Sequence, residues 1–288
     1  MIWPNHPYPV LLREIQPMKT TQIETHQLSW REMGSGRSIL LLHGFCEDSR
    51  MWQAFMPFLA DAGYRVVAPD LPGFGSSPAV DGLTLADMAY ILARLTSKLE
   101  LYRPVVIGHS MGGYIGLELL AQKELVLAGL SLFHSHPYAD SEEKKQLRQK
   151  SIAFIGRHGL APYLKEFFQG LFPPDFSRER PYVLEQLRLW ASDYPPKGVQ
   201  TALMAMAGRP DHQDTLRNTT VPIQFVLGME DPILPREQLL AQTHLPATAD
   251  IHLMAGIGHM GAQEAPAVCV RRLAAFASFC QTYTPQSR

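Results

Sequence analysis

Val105-Val106-Ile107-Gly108-His109-Ser110-Met111-Gly112-Gly113 reads as an apolar strand running into Gly-x-Ser-x-Gly, followed by a helix over about residues 114–123. A serine between two glycines at a strand-to-helix reversal can occupy a strained, exposed turn, because Gly108 and Gly112 carry no Cβ and let neighbouring backbone pack close. Ser110 then stands clear of the sheet edge. The helix behind it aims its positive N-terminal end at any anion formed there. Taken alone the five-residue pattern is weak, since a Gly-rich turn with an idle serine has the same letters. The flanking chain has to decide.

Strand and helix patterns alternate on the N-terminal side. Residues 26–33 suit an early strand, and 38–42 (Ser-Ile-Leu-Leu-Leu) form an apolar run suited to a strand buried on both faces. Ser49 opens a helix carrying Met51, Trp52, Phe55, Phe58 and Leu59 at helical spacing, and 64–68 is the next strand. Thr84 opens a helix with Leu85, Met88, Leu92, Leu95 and Leu99 on one side; 103–108 and 126–133 are further strands. Strands separated by helices cannot be hairpins, so the pattern predicts an α/β fold with a mostly parallel sheet and helices on both faces.

Near Pro137 the texture changes. Helical segments broken by prolines continue to about Gly208, with no strand of the earlier kind, which predicts an inserted helical subdomain. The charged run at 141–150 reads as a solvated helix face rather than a binding patch. Strand patterns resume at 221–227 and 250–254, and a last helix carries Ala265, Cys269, Leu273, Phe276 and Cys280 on one stripe. The expected division is an N-terminal extension over 1–25, a core over 26–136 and 215–288, and a helical cap over 137–214. Residues 1–17, with Pro4, Pro7, Pro9 and Pro17, lack the basic start and apolar block of a secretory signal, and Met18 would serve as an alternative start.

The chain has 288 residues, 46% hydrophobic and 18% charged, a composition of folded globular enzymes. A net charge of −1 gives no footprint for nucleic acid. No apolar run reaches the roughly 18 residues of a membrane span. Three scattered cysteines, Cys46, Cys269 and Cys280, form no disulfide framework and point to a reducing, cytoplasmic setting.

A serine hydroxyl is a poor nucleophile unless a base lies within hydrogen-bond reach and a third group orients that base. In open parallel sheets such groups gather outside the carboxyl ends of the strands. Asp231, in Gly228-Met229-Glu230-Asp231-Pro232, follows one downstream strand, and His259, in Gly256-Ile257-Gly258-His259-Met260, follows the next. The order Ser, acid, His is that of a nucleophile-elbow hydrolase. Glu230 is a rival carboxylate one position away. Asp70 reads as a loop-fixing acceptor and Asp48 as a helix-start residue. The backbone N–H groups of Met111 and Phe45 are the expected oxyanion donors. His134-Ser135-His136 follows a strand at the active edge, so His134 and His136 are tentative pocket residues. A His-x-His metal site lacks an evident third ligand, and no metal or cofactor is expected.

Together, His43-Gly44-Phe45, Asp70-Leu71-Pro72-Gly73-Phe74-Gly75-Ser76-Ser77, Gly108-His109-Ser110-Met111-Gly112-Gly113, Gly228-Met229-Glu230-Asp231-Pro232 and Gly258-His259 resemble the α/β-hydrolase superfamily. The resemblance implies an eight-stranded, mostly parallel sheet, a lid inserted after the sixth strand, and a Ser110-Asp231-His259 triad. Ser110 stands where haloalkane dehalogenases and epoxide hydrolases carry Asp. The expected activity is hydrolysis of a carboxylic ester or related small, apolar acyl substrate. Carbon–carbon bond hydrolysis of a diketone-like substrate on the same residues, or a non-catalytic ligand receptor, are the alternatives.

Overall fold

The apolar run at 38–42 lacks alternation because both its faces are covered. Ile39 and Leu41 join the hydrophobic cluster on one side of a sheet, Leu40 and Leu42 the cluster on the other. Each such side chain taken out of water contributes roughly 1.5–3 kcal/mol. The structure, a computed structural model, describes residues 17–284. Eight strands make one sheet: β1 (Lys19–Ile23), β2 (His26–Met33), β3 (Arg37–Leu42), β4 (Tyr64–Asp70), β5 (Val105–His109), β6 (Gly129–Phe133), β7 (Ile223–Gly228) and β8 (Ala249–Met254). Their spatial order is β1-β2-β4-β3-β5-β6-β7-β8. β2 runs antiparallel to β1 and β4, and every other pairing is parallel.

The helices are α1 (Met56–Asp61), α2 (Leu85–Lys98), α3 (Met111–Gln122), α4 (Glu142–His158), α5 (Leu160–Gln169), α6 (Pro174–Glu179), α7 (Pro181–Ala191), α8 (Pro196–Ala207), α9 (Gln213–Asn218), α10 (Arg236–Ala241), α11 (Gly261–Glu264) and α12 (Pro266–Thr282). α2 and α3 cover one face, where Leu92 and Ile115 meet Leu40 and Leu42. α1 and α12 cover the other, where Leu59 and Phe276 meet Ile39 and Leu41. The fold is therefore the expected mostly parallel α/β sheet with helices on both faces.

Local signals explain several boundaries. Thr84 and Asp87 form a capping box at α2: the Asp87 N–H donates to Thr84 Oγ1 at 3.1 Å and the Thr84 N–H to Asp87 Oδ2 at 2.9 Å. The single helix read from Ser49 onward is instead a 3₁₀ turn over Ser49–Trp52, started by Asp48, followed by α1. Pro57 in the first turn of α1 lacks the N–H that would continue an upstream helix. β1 falls inside the stretch assigned to the N-terminal extension. Its Lys-Thr-Thr-Gln-Ile sequence is mostly exposed and hydrogen-bonds on one side only, as a polar edge strand does, so no hydrophobic pattern announces it. Residues 1–16 of that extension lie outside the described residues.

Between β6 and β7 the described chain forms six helices, α4 to α9, and no strand. This segment is tied to the loop after β3. Arg50 Nη2 donates to the Trp190 carbonyl at 2.7 Å, and the Tyr194 hydroxyl donates to Asp48 Oδ2 at 2.6 Å.

At the β5–α3 reversal, backbone leaves no room for added atoms. A Cβ on Gly108 would collide with the Gly112 carbonyl, and one on Gly112 with the carbonyl groups of Leu42 and His43. Gly112→Ala is therefore expected to cost about 1–3 kcal/mol, because main chain cannot yield as a side chain does. Urea denaturation checks this, and a variant as stable as the parent would show that the turn is looser than described.

Candidate active site

Ser110 lies between the end of β5 and the first residue of α3 with φ 49° and ψ −113°, a conformation that L-residues avoid and that costs on the order of 1–3 kcal/mol. Hydrogen bonds hold it there. The Ser110 N–H donates to the Phe133 carbonyl at 3.0 Å, and Ser135 Oγ donates to the Ser110 carbonyl at 2.8 Å. The side chain is thereby turned out toward His259. Met111 opens α3, so its N–H is one of the helix-start donors that have no partner within the helix.

Ser110 Oγ lies 2.9 Å from His259 Nε2, and His259 Nδ1 lies 2.7 Å from Asp231 Oδ2. The other carboxylate oxygen of Asp231 accepts the N–H groups of Ile233 at 2.8 Å and Leu234 at 3.0 Å. Burial alone would raise the Asp231 pKa, but the His259 charge and hydrogen bond, with the Ile233 N–H, outweigh it and leave the carboxyl below its ordinary value. An ionised carboxylate only accepts, so His259 Nδ1 carries the proton and Nε2 faces the serine hydroxyl as an acceptor. Glu230, the rival, is exposed and reaches toward Arg236 at 3.4 Å. Asp70 fixes its loop by accepting the N–H groups of Ser49 and Ser76.

The loop that carries Phe45 is held by His43, Glu47 and His109. His43 Nδ1 donates to the Gly44 carbonyl at 2.8 Å, and His43 Nε2 accepts the Leu71 N–H at 2.8 Å. One oxygen of Glu47 accepts the Gly44 N–H at 2.7 Å and lies 2.8 Å from His109 Nδ1. His109 Nε2 lies 3.0 Å from the backbone carbonyl of His259. Both ring nitrogens of His109 thus face acceptors, which requires both to carry protons. Burial would push His109 down, but Glu47 and then the His259 carbonyl outweigh it and leave the imidazole above its ordinary value. Glu47 is shifted the opposite way: burial would raise it, yet His109 and the Gly44 N–H hold it below the carboxylate range. The pair is a buried imidazolium–carboxylate, with 2% of each side chain exposed.

A cavity of about 450 Å³, counting its open mouth, lies over Ser110 and His259, with Phe45, Tyr114, Arg148 and Met206 in its wall. The Phe45 ring packs edge-on against Phe74 below and Phe167 above, at centroid distances of 6.1 and 5.2 Å. His134 and His136 do not belong to this wall. His134 is buried behind His259, 6.2 Å away between ring centroids, with neither ring nitrogen paired to another protein group. His136 is buried too: its Nδ1 accepts the Tyr138 N–H, and its Nε2 lies 3.2 Å from the Tyr114 hydroxyl. Burial first, then the charges of Arg209, Lys144 and Arg148, push its pKa well below the ordinary value. Arg148 belongs to the charged run read as a solvated face. Its signal was the spacing Lys144, Arg148, Ile152, Ile155, which puts it on the inward stripe of α4. Among the described residues, no three His, Cys, Asp or Glu side chains are grouped to hold a metal ion, and no helix is long and apolar enough to cross a membrane.

With this geometry in place, similarity to known proteins is informative. The chain is 31% identical over 245 residues to the dihydrolipoyllysine-residue acetyltransferase component of the acetoin cleaving system of Cupriavidus necator, covering 81% of this chain and 62% of the relative. The chain therefore spans less than two thirds of that protein's length. It is 28% identical to the pimeloyl-[acyl-carrier protein] methyl ester esterase of Yersinia pseudotuberculosis, over 81% of this chain and 90% of the relative. Among solved structures it resembles a thermophilic esterase from Thermogutta terrifontis, with a TM-score of 0.86 and 30% identity over 92% of this chain and 100% of that one. The alpha/beta hydrolase family profile matches residues 39–272. A family match across most of the chain, on the eight-stranded sheet described above, makes this protein a member of the alpha/beta hydrolase family.

Proposed function

We propose that the protein is a serine hydrolase that cleaves a carboxylic ester or related small acyl substrate through an acyl-enzyme. The observation that carries this reading is the unbroken row from Ser110 Oγ through both nitrogens of His259 to Asp231. As Ser110 attacks the scissile carbonyl, His259 Nε2 takes its proton, and Asp231 stabilises the imidazolium that results. The carbonyl oxygen, now negative, faces the N–H groups of Phe45 and Met111. Collapse expels the alcohol, which takes the proton from His259. Water then attacks the acyl group, giving its proton to the same nitrogen, and the second collapse releases the acid and returns the proton to Ser110. The chain's own groups and water handle every proton and electron pair. Similarity to an esterase at 30% identity supports the reaction class.

Two parts of the fold support this chemistry in the same reading. The helices of residues 137–214 act as a cap that closes over the cavity and sets acyl size. Glu47 and His109 act as positioning residues, because one carboxylate oxygen ties the Phe45 loop to the serine turn and the His109 ring ties that turn to the His259 backbone.

Ser110→Ala is expected to lower kcat on a small aryl ester by a factor on the order of 10⁶, with the fold intact. A fluorophosphonate should label the wild type and not the variant. Ester cleavage by the variant near the wild-type rate would overturn the assignment.

Glu47→Gln leaves a buried imidazole facing a group that no longer balances its charge, and breaking such a pair costs about 3–5 kcal/mol. Because the folded pKa of His109 is raised, its contribution is complete below the unfolded histidine value and is lost as pH rises through the folded one. The lowered Glu47 contributes above the unfolded carboxylate value and loses its effect as pH falls through the folded one. Wild-type stability, followed by urea denaturation against pH, should therefore decline on the alkaline side of the histidine range, and Glu47→Gln should flatten that limb. An unchanged limb would mean that the pair does not titrate as a unit.

A further inference from the structure

The cavity wall carries a guanidinium, Arg148, that shares its one carboxylate partner with a second guanidinium. Asp140, with a fully buried side chain, serves two guanidinium groups at once. Arg209 lies 2.8 Å from one carboxylate oxygen, and Arg148 Nε donates to the other at 2.5 Å. Arg209 is itself buried; its Nε donates to the Tyr138 carbonyl and its Nη1 to that of Met206, and its Cζ lies 4.0 Å from the centre of the Tyr114 ring. Its charge and that of Asp140 therefore cancel inside the protein. Arg148 is left with about 20% of its side chain exposed, and it is the guanidinium that lines the cavity with Ser110 and His259. Lys144, one turn earlier on the same inward stripe of α4, adds a third cation to the cluster. Its pKa is lowered by desolvation, and the charges of Arg209 and Arg148 oppose the help it receives from Asp140. Of the other carboxylates near the cavity, Glu47 is paired with His109, and Asp231 turns its oxygens to His259 Nδ1 and to the N–H groups of Ile233 and Leu234, so neither hydrogen-bonds Arg148.

A guanidinium lining a small cavity, held by Asp140 through Nε at 2.5 Å and Nη2 at 3.4 Å and so left with its Nη1 side, suits a planar anion with two oxygens. We propose that the acyl substrate carries a carboxylate away from its scissile carbonyl, and that Arg148 holds that carboxylate while the carbonyl lies at Ser110. The substrate class is then the half-ester, or a corresponding acyl derivative, of a short dicarboxylic acid, and hydrolysis with water gives the dicarboxylate and an alcohol. This rests on the hydrolase reading above and adds the charge of the substrate to it. It also gives the Asp140 bridge a purpose: a bare Arg148 on a surface helix would swing into water, whereas the bridge fixes it facing the cavity.

The test uses the full-length protein and the monomethyl and dimethyl esters of succinic to suberic acid, which differ in one charge at equal chain length. At the best chain length the wild type should favour the monoester in kcat/KM by roughly ten- to a hundredfold, after allowing for the two equivalent ends of the diester, with most of the difference in KM. Arg148→Gln should bring the ratio near one, and Arg148→Lys should keep part of the preference. A wild-type ratio at or below one overturns the proposal whether or not any variant folds; a ratio unchanged in folded Arg148→Gln does the same. Calorimetric titration of Ser110→Ala with both esters reads charge recognition without turnover. Tighter, Arg148-dependent binding of the monoester, together with no cleavage of either ester by the wild type, would overturn the hydrolase reading and leave the anion site standing. Equal cleavage of both esters would do the reverse.

Discussion

The backbone of His259 is held at both ends, and the candidate site depends on that grip. Its N–H donates to the Leu171 carbonyl at 3.1 Å, from the helical segment above. Its C=O receives His109 Nε2 from the serine turn below. A side chain on a loop after a strand would otherwise sample several rotamers, and a base displaced by an ångström loses most of its use. Because His109 must carry two protons to make both of its contacts, the lower grip requires Glu47 to stay ionised beside it. A single carboxylate oxygen thus connects the Phe45 loop, the serine turn and the histidine loop, which come from positions far apart in the chain. Such a pair is costly to bury, and its retention fits a role in fixing geometry rather than in adding stability.

Strain at Ser110 is sustained by the same packing. The positive φ is paid for by hydrogen bonds to Phe133 and Ser135 from β6 and the loop after it, and by close main-chain contact at Gly108 and Gly112. The outcome is a hydroxyl fixed in direction before any substrate arrives, at the start of a helix whose first N–H groups are unspent.

Much of this was legible in the sequence because it is local. Continuous apolar runs gave the buried parallel strands, a glycine pair gave the turn, and Asp231 and His259 stood directly after strands, where a parallel sheet gathers functional groups. The structure brings Ser110, His259 and Asp231 within hydrogen-bond distance. What stayed hidden depends on distant partners. β1 is polar because it is an edge. Glu47 and His109 look like an ordinary loop acid and a motif filler until the fold places them together. Arg148 looked solvated because charge hid the helical spacing it shares with Ile152 and Ile155. His134 and His136 follow the right strand, but His134 lies against His259 and His136 against Tyr114, and neither ring lines the cavity.

The Leu171 contact has a mechanical consequence. The carbonyl that steadies His259 belongs to the chain between α5 and α6, and Leu171 also borders the cavity. Any hinge-like lifting of those helices wide enough to admit a reactant would pull on the imidazole's own main chain. On the hydrolase reading proposed above, entry and proton abstraction would then be mutually exclusive in time: the gate ajar leaves the imidazole slack, and only the shut form is cocked. Such an arrangement would keep an unoccupied, solvent-filled cleft from spending its reactivity on whatever drifts past.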